Sequence, residues 1–279
     1  MREEIVVCPQ FPEVGVWLLL MTVAVLAHGA PAGGTWQRAI RTSDLGTIER
    51  LMAAGANVNQ ATAAGKTALM AAAGKGDYAL AARLVAAGAS VTARNRNGGT
   101  ALMYGAVGGN APVIRLLLKH GASVDAVAAN GWSALTLAAV KGHLPVVDLL
   151  LSRGADPTVR DVYGWTVLMR AVGANRAAVV RRLLATGKVD VNAADEQGET
   201  ALHHAVMNAN PAMARLLVAA GARVDVRDSR HRTPRTLALE SGQTELAAWL
   251  AEVAARRKPG TGGNRGQTTI SPGNCPDCR

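Results

Sequence analysis

Aromatic residues are scarce in this chain of 279 residues, at 3% with a single phenylalanine, Phe11. A core of stacked rings is therefore excluded, and burial must come from Ala, Leu and Val at close spacing. Cysteine is almost absent: three residues cannot staple a disulfide-rich mini-domain and leave no set for a zinc finger. Long apolar runs are missing too, with one exception near the start, which excludes a polytopic membrane protein. Acidic residues are outnumbered, 20 against 30 Lys and Arg, for a net charge of +10. What the chain has is 49% apolar residues against 18% charged. That is enough to bury a core and too apolar for global disorder.

The exceptional run is Val14 to Ala27 (VGVWLLLMTVAVLA). Its 14 residues would span about 21 Å as a helix, short of a bilayer core of about 30 Å. Small residues follow, and Ala27-His28-Gly29 or Ala30-Pro31-Ala32 offers a cleavage site. Residues 1–32 thus have the layout of a signal peptide, with an uncleaved membrane anchor as the other reading. The departure is a first segment in which Arg2 is outweighed by Glu3, Glu4 and Glu13. Export to the periplasm or exterior is the expectation. At the other end, residues 259–279 are rich in Gly, Pro, Thr and Asn and are expected to be a disordered tail.

Between these ends the sequence repeats itself. A Thr or Ser opens a small apolar run at Thr67, Thr100, Ser133, Thr166, Thr200 and Thr233, with gaps of 33, 33, 33, 34 and 33 residues. A second ladder runs through Gly55, Gly88, Gly121, Gly154, Gly187 and Gly221, in phase with the first. The hydroxyl suits an N-cap, because it can accept from a free backbone N–H of the first helical turn. The glycine suits a left-handed residue that ends a helix. Each period therefore reads as an extended arm, a short helix, a turn and a second helix. One such unit cannot bury its own apolar face, whereas stacked neighbours bury one another's.

This pattern resembles the ankyrin repeat, whose 33-residue unit begins Thr-Pro-Leu-His and carries Gly-His before its second helix and Gly-Ala after it. Ser133–Ala155 (SALTLAAVKGHLPVVDLLLSRGA) is the closest match. The resemblance implies an all-α solenoid of about seven helix-turn-helix units with short β-hairpin arms. The units fall at approximately 35–60, 61–93, 94–126, 127–159, 160–193, 194–226 and 227–258, within a repeat domain of 33–258. Departures are visible. The motif proline survives only at Pro234 and the motif histidine only at His203. Since that histidine helps bond one repeat to the next in the family, thinner hydrogen-bond coupling is expected here. One extra residue between Gly187 and Val191 of the fifth unit predicts a local bulge in its arm, and His231 stands where the ladder has glycine.

Little chemistry lies outside this grammar. Gly65-Lys66-Thr67 lacks the earlier glycine of a phosphate-binding loop, with Gln60 in its place. His203 and His204 are adjacent on a helix, so they point to different faces, and spacing offers no third metal ligand. No catalytic constellation and no recurring pair of interior carboxylates is evident. The chain thus reads as a non-catalytic scaffold without metal or cofactor. Cys275-Pro276-Asp277-Cys278 could close as a local disulfide, so an oxidant-responsive or covalently tethered adaptor is the alternative.

The first 32 residues hold one Arg and three Glu, and the last 21 hold two Arg and one Asp, so the +10 of the whole chain becomes +11 for residues 33–258. Much of it falls on second helices (Arg115, Lys119, Arg153, Arg181, Arg182 and Arg215). Contact with an anionic envelope surface fits this excess. Nucleic acid does not, because the basic–aromatic interleaving of single-strand binders is missing. The resemblance implies that a protein partner meets the arm tips and first helices of what is expected to be a monomer. On that side Trp132 and Trp165 recur 33 apart, near Tyr163, Val140, Lys141, Asn130, Arg96 and Asn97. The two indoles are candidates for interface anchors, or else for mutual packing between arms.

Overall fold

The structure, a computed structural model, describes residues 33–257. These form 14 helices in seven consecutive pairs: α1 (Gly33–Thr42) with α2 (Leu45–Ala53), α3 (Ala68–Lys75) with α4 (Tyr78–Ala86), α5 (Ala101–Gly108) with α6 (Ala111–Lys119), and α7 (Ala134–Lys141) with α8 (Leu144–Ser152). Then come α9 (Val167–Gly173) with α10 (Ala177–Leu184), α11 (Ala201–Met207) with α12 (Pro211–Ala219), and α13 (Pro234–Glu240) with α14 (Thr244–Arg257). The fold is an all-α repeat solenoid. No helix among the described residues is long and apolar enough to cross a membrane. The apolar run at 14–27 and the Cys275/Cys278 tail both lie outside the described residues.

Each first helix begins where the hydroxyl ladder predicts. Thr67, Thr100, Ser133, Thr166 and Thr233 accept from the backbone N–H three residues on, at 3.2–3.4 Å. At Thr200 the third residue is His203, whose Nδ1 accepts the Thr200 backbone N–H at 3.1 Å. The predicted glycines are left-handed, and so is His231, at φ 60°. A third left-handed position separates the two helices of each pair. It is Gly at 76, 109, 142 and 242, but Ser43, Asn175 and Ala209 elsewhere. Ala209 carries the strain of that conformation without a side chain able to bond locally.

First helices pack on first helices along the stack (α3, α5, α7, α9, α11, α13), and α4, α6, α8 and α10 form a looser outer row. The closest joint is α3 on α5, and small residues permit it. A Cβ on Gly108 would stand 2.6 Å from the Gly74 carbonyl oxygen. Between the rows runs a leucine ladder, Leu84, Leu117, Leu150, Leu183, Leu217 and Leu250, each at most 1% exposed. Each contributes about 1.5–3 kcal/mol relative to an exposed side chain. The core therefore needs few rings; Trp36 is the one tryptophan fully buried among the described residues, and its Nε1 donates to the Gln60 carbonyl at 2.9 Å.

Hydrogen-bond coupling between repeats is not thin, despite the lost motif histidines. It runs through the turn between helices instead. Asn110, His143, Arg176 and Gln243 each reach back 34–37 residues to a carbonyl at the end of the preceding first helix, at 2.8–3.0 Å. The arms add a second rail: the N–H of Arg96, Ala129, Val162, Glu196 and Ser229 donates to Ala64, Asn97, Asn130, Tyr163 and Gln197 respectively. Within an arm, isolated bridges such as Val127 to Ser133 and Arg160 to Thr166 close the turn. The extra residue of the fifth unit is taken up at the end of α10 rather than as a bulge in the arm. Elsewhere a backbone N–H closes that helix end, as in Ala155 to Leu150; here Lys188 N–H donates to Thr186 Oγ1 at 3.2 Å.

Candidate protein-binding groove

Five residues before each capping hydroxyl the arm carries Thr62, Asn95, Ala128, Asp161, Asp195 and Asp228. Interior carboxylates therefore do recur, contrary to the expectation from sequence, and all three are at most 9% exposed. Their first task is to hold the arm turn. Oδ1 of Asp161 accepts from Tyr163 and Trp165 N–H, that of Asp195 from Gln197 and Glu199, and that of Asp228 from Arg230 and Arg232, at 2.8–3.0 Å. Asn95 does the same for Asn97 and Gly99. Ala128 cannot, and Asn130 Oδ1 instead accepts from Trp132 N–H at 3.1 Å.

The second oxygen faces the groove, and nine residues on, in the first helix, stands its partner. Asp161 Oδ2 accepts from Arg170 Nε at 2.6 Å and from its Nη2, and also from Trp132 Nε1 at 3.2 Å. Asp195 Oδ2 accepts from His204 Nε2 at 3.2 Å. Asn95 Nδ2 donates to the Tyr104 hydroxyl at 3.1 Å. Asp228 departs from the rule and takes Arg232 Nε and Nη2, both at 2.8 Å. Burial works against the Asp228 carboxylate, but the guanidinium and the N–H groups of Arg230 and Arg232 hold it below the usual range.

These pairs order a stack along the arms. The Arg170 guanidinium lies 5.1 Å from the Trp132 ring and 4.2 Å from the Trp165 ring. Trp165 in turn packs on His204, with centroids 3.9 Å apart. The guanidinium thus bridges the two indoles, an arrangement worth more here than in open water. Both indoles are half-buried and both line the groove. Trp132 and Trp165, with Val140, Arg170, His204 and Met207, surround an open pocket of about 590 Å³. Trp132 is also a wall of a neighbouring apolar pocket of about 390 Å³, with Asn97, Tyr104, Val107, Asn130 and Leu137. Three residues singled out from sequence line neither pocket: Arg96 and Lys141 are exposed, and Tyr163 projects from its arm tip at 59% exposure.

At one end of the larger pocket sit ionisable groups that spacing alone did not join. Ligand atoms of Asp195, Glu199 and His204 lie within 4.8 Å of one another. Asp195 is already engaged by two backbone N–H groups and the imidazole, which leaves His204 Nδ1 and Glu199 Oε2 facing each other at 3.9 Å. Burial keeps His204 below the usual imidazole range despite Asp195. The Glu199 carboxyl is pushed up by burial and then by Asp195 and Asp228. His203, also held down by burial, does bond to the next repeat, with Nε2 3.3 Å from the Arg232 carbonyl. Lys66 donates to Ser43 Oγ at 2.9 Å and lies over the Tyr104 ring rather than beside a phosphate cradle.

The family described as Ankyrin repeats (3 copies) matches residues 36–128, 75–161, 123–195 and 168–258, in overlapping stretches that span the described solenoid. The chain belongs to the ankyrin-repeat family. Curated relatives of this ankyrin-repeat chain include diacylglycerol kinase iota of Mus musculus, 47% identical over 58 residues, and the potassium channel AKT1 of Oryza sativa subsp. indica, 46% identical over 57 residues. These stretches cover 21% and 20% of the chain and only 6% of either relative, so the likeness is one of repeats. Among solved structures, a chain in the complex of the Bd0816 predatory endopeptidase from Bdellovibrio bacteriovorus with immunity protein Bd3460 superposes with a TM-score of 0.61. It is 29% identical, over 66% of this chain and 96% of that one. Ankyrin repeats are in general non-catalytic scaffolds for protein–protein interaction, and a protein partner is the partner class this membership supports.

Proposed function

We propose that this ankyrin-repeat chain is a non-catalytic scaffold of the cell envelope or exterior that holds a protein partner along its arms and first helices. The observation that carries the reading is the continuous groove in which two pockets share Trp132 as a common wall. Among the described residues, Val107 at 39% and Met207 at 44% exposure are large apolar side chains left uncovered in its lining, and Tyr163 at 59% projects from the arm next to Trp165. Half-exposed Trp beside exposed Tyr and Met is the usual composition of an interface centre. The solved chain that superposes on this one comes from an assembly of two proteins. Envelope placement rests on the apolar segment at 14–27, and N-terminal sequencing of exported protein tests it.

The groove is tested with two variants. Trp132→Ala with Trp165→Ala should abolish capture of an envelope protein. Because both indoles also pack against Arg170, the exposed pair Tyr163→Ala with Met207→Ser should weaken capture with the thermal melt unchanged. Full capture by both variants would refute the groove.

A further inference from the structure

We infer that the end of the groove between Glu199 and His204 is a pocket for a lysine side chain of the partner protein, an inference that rests on the groove reading above. The repeat domain is strongly basic as a whole, yet this corner is not. Asp161, Asp195, Glu199, Asp228 and Glu240 meet there against Arg170, Arg230 and Arg232, and burial disfavours the charged form of His204. Five carboxylates against three guanidiniums leave a local excess of two negative charges. A cationic group is therefore drawn to this spot and repelled by most of the remaining surface.

The geometry asks for a hydrogen-bond donor as well as a charge. The imidazole donates its Nε2–H to Asp195 Oδ2, so the neutral ring presents Nδ1 as a bare acceptor. Facing it at 3.9 Å is Glu199 Oε2, a second acceptor. The Glu199 side chain is only 16% exposed, and its nearest cation, Arg232 Nη2, stands at 3.6 Å, beyond hydrogen-bond length. Arg232 itself is committed to Asp228. An ammonium entering the pocket supplies the missing donor to both acceptors. Its four-carbon stem then lies along Met207 and the edge of Trp165, which line the same pocket.

Other occupants fit less well. An anion finds Arg170 already neutralised by Asp161. A metal ion finds only Nδ1 and Oε2 unengaged, since Asp195 accepts three N–H donors. A compact ammonium with three donors suits two close acceptors better than the broad guanidinium fork.

The test is an NMR titration of the full chain with the peptides acetyl-Leu-Lys-Leu-amide and acetyl-Leu-norleucine-Leu-amide, read at the Met207 methyl and the indole N–H of Trp132 and Trp165. The lysine peptide should shift these signals saturably, with the norleucine peptide at least tenfold weaker. Glu199→Gln should weaken the lysine peptide at least fivefold while leaving the norleucine peptide unchanged. Equal binding of the two peptides, or no response to lysine, overturns the inference. So does a saturable response to zinc chloride that requires both Glu199 and His204 and blocks the lysine peptide, which would assign the acceptors to a metal. None of these results bears on the two capture variants above, which decide the groove on their own.

Discussion

The joint between α3 and α5 and the joints between the later arms solve the same problem with opposite chemistry. In the first, Ala and Gly surfaces meet almost backbone to backbone, and the interface has no charge to satisfy. In the second, the buried carboxylates Asp161 and Asp195 tie the arm turn to the first helix, and the side chains they hold are large, cationic or titratable. The first joint stabilises through contact alone. The second keeps polar groups under cover at a cost and returns a shaped groove. A repeat fold can therefore separate the stretch that supplies cohesion from the stretch that supplies a surface, while holding one period throughout.

Removing the polar tie should have the largest effect. Asp161→Ala strips the acceptor from Arg170, Trp132 Nε1 and two backbone N–H groups, so a loss of about 3 kcal/mol is expected in urea unfolding. Asp161→Asn keeps the turn acceptor and should lose clearly less, which separates the charge from the cap. At the apolar joint, Gly108→Ala pushes a methyl toward the Gly74 carbonyl and should cost about 1–3 kcal/mol with no change in salt dependence.

Acid should act on the polar region and spare the apolar one. Both His203 and His204 are held below their ordinary range, so the unfolded chain takes up protons first, near pH 6.5. Stability is full above that pH and falls as the pH drops from it toward the folded-state values. His204→Gln should flatten the slope below about pH 6.5; an unchanged slope would remove His204 as its source. The smallest effect is a gain. Ala209→Gly relieves a left-handed alanine at φ 49° and should add up to about 1 kcal/mol, whereas the same exchange at an ordinary helical alanine costs stability.

Caps and glycine ladders were legible because each is a local bond, repeated six times in phase. A hydroxyl that accepts from the third residue on, or a glycine forced left-handed, depends on no distant partner. The polar ties were harder to read, although they obey the same period. Their position is Thr62, Asn95 or Ala128 in the early units and becomes Asp only at 161, so residue identity hides the ladder. The signal was nonetheless present: Tyr104, Arg170 and His204 each stand four places after a capping hydroxyl and nine after an arm Asn or Asp. Within one unit nothing marks Glu199 as a neighbour of Arg232, 33 residues on. Stacking brings the two within 3.6 Å and half-buries both, a consequence of neighbouring arms that no single unit contains.

The way α10 absorbs its additional residue has a practical side. Thr186 Oγ1 takes over the Lys188 N–H, yet a few residues later Asn192 Oδ1 accepts from Arg223 N–H at 2.7 Å, as Asn59 Oδ1 accepts from Ser90 in the second unit at 2.8 Å. The disturbance dies out within one loop, and neither adjoining module feels it. Residues 187–190 are thus a splice point, where peptide tags or reporter segments could be inserted without shifting the phase of anything downstream.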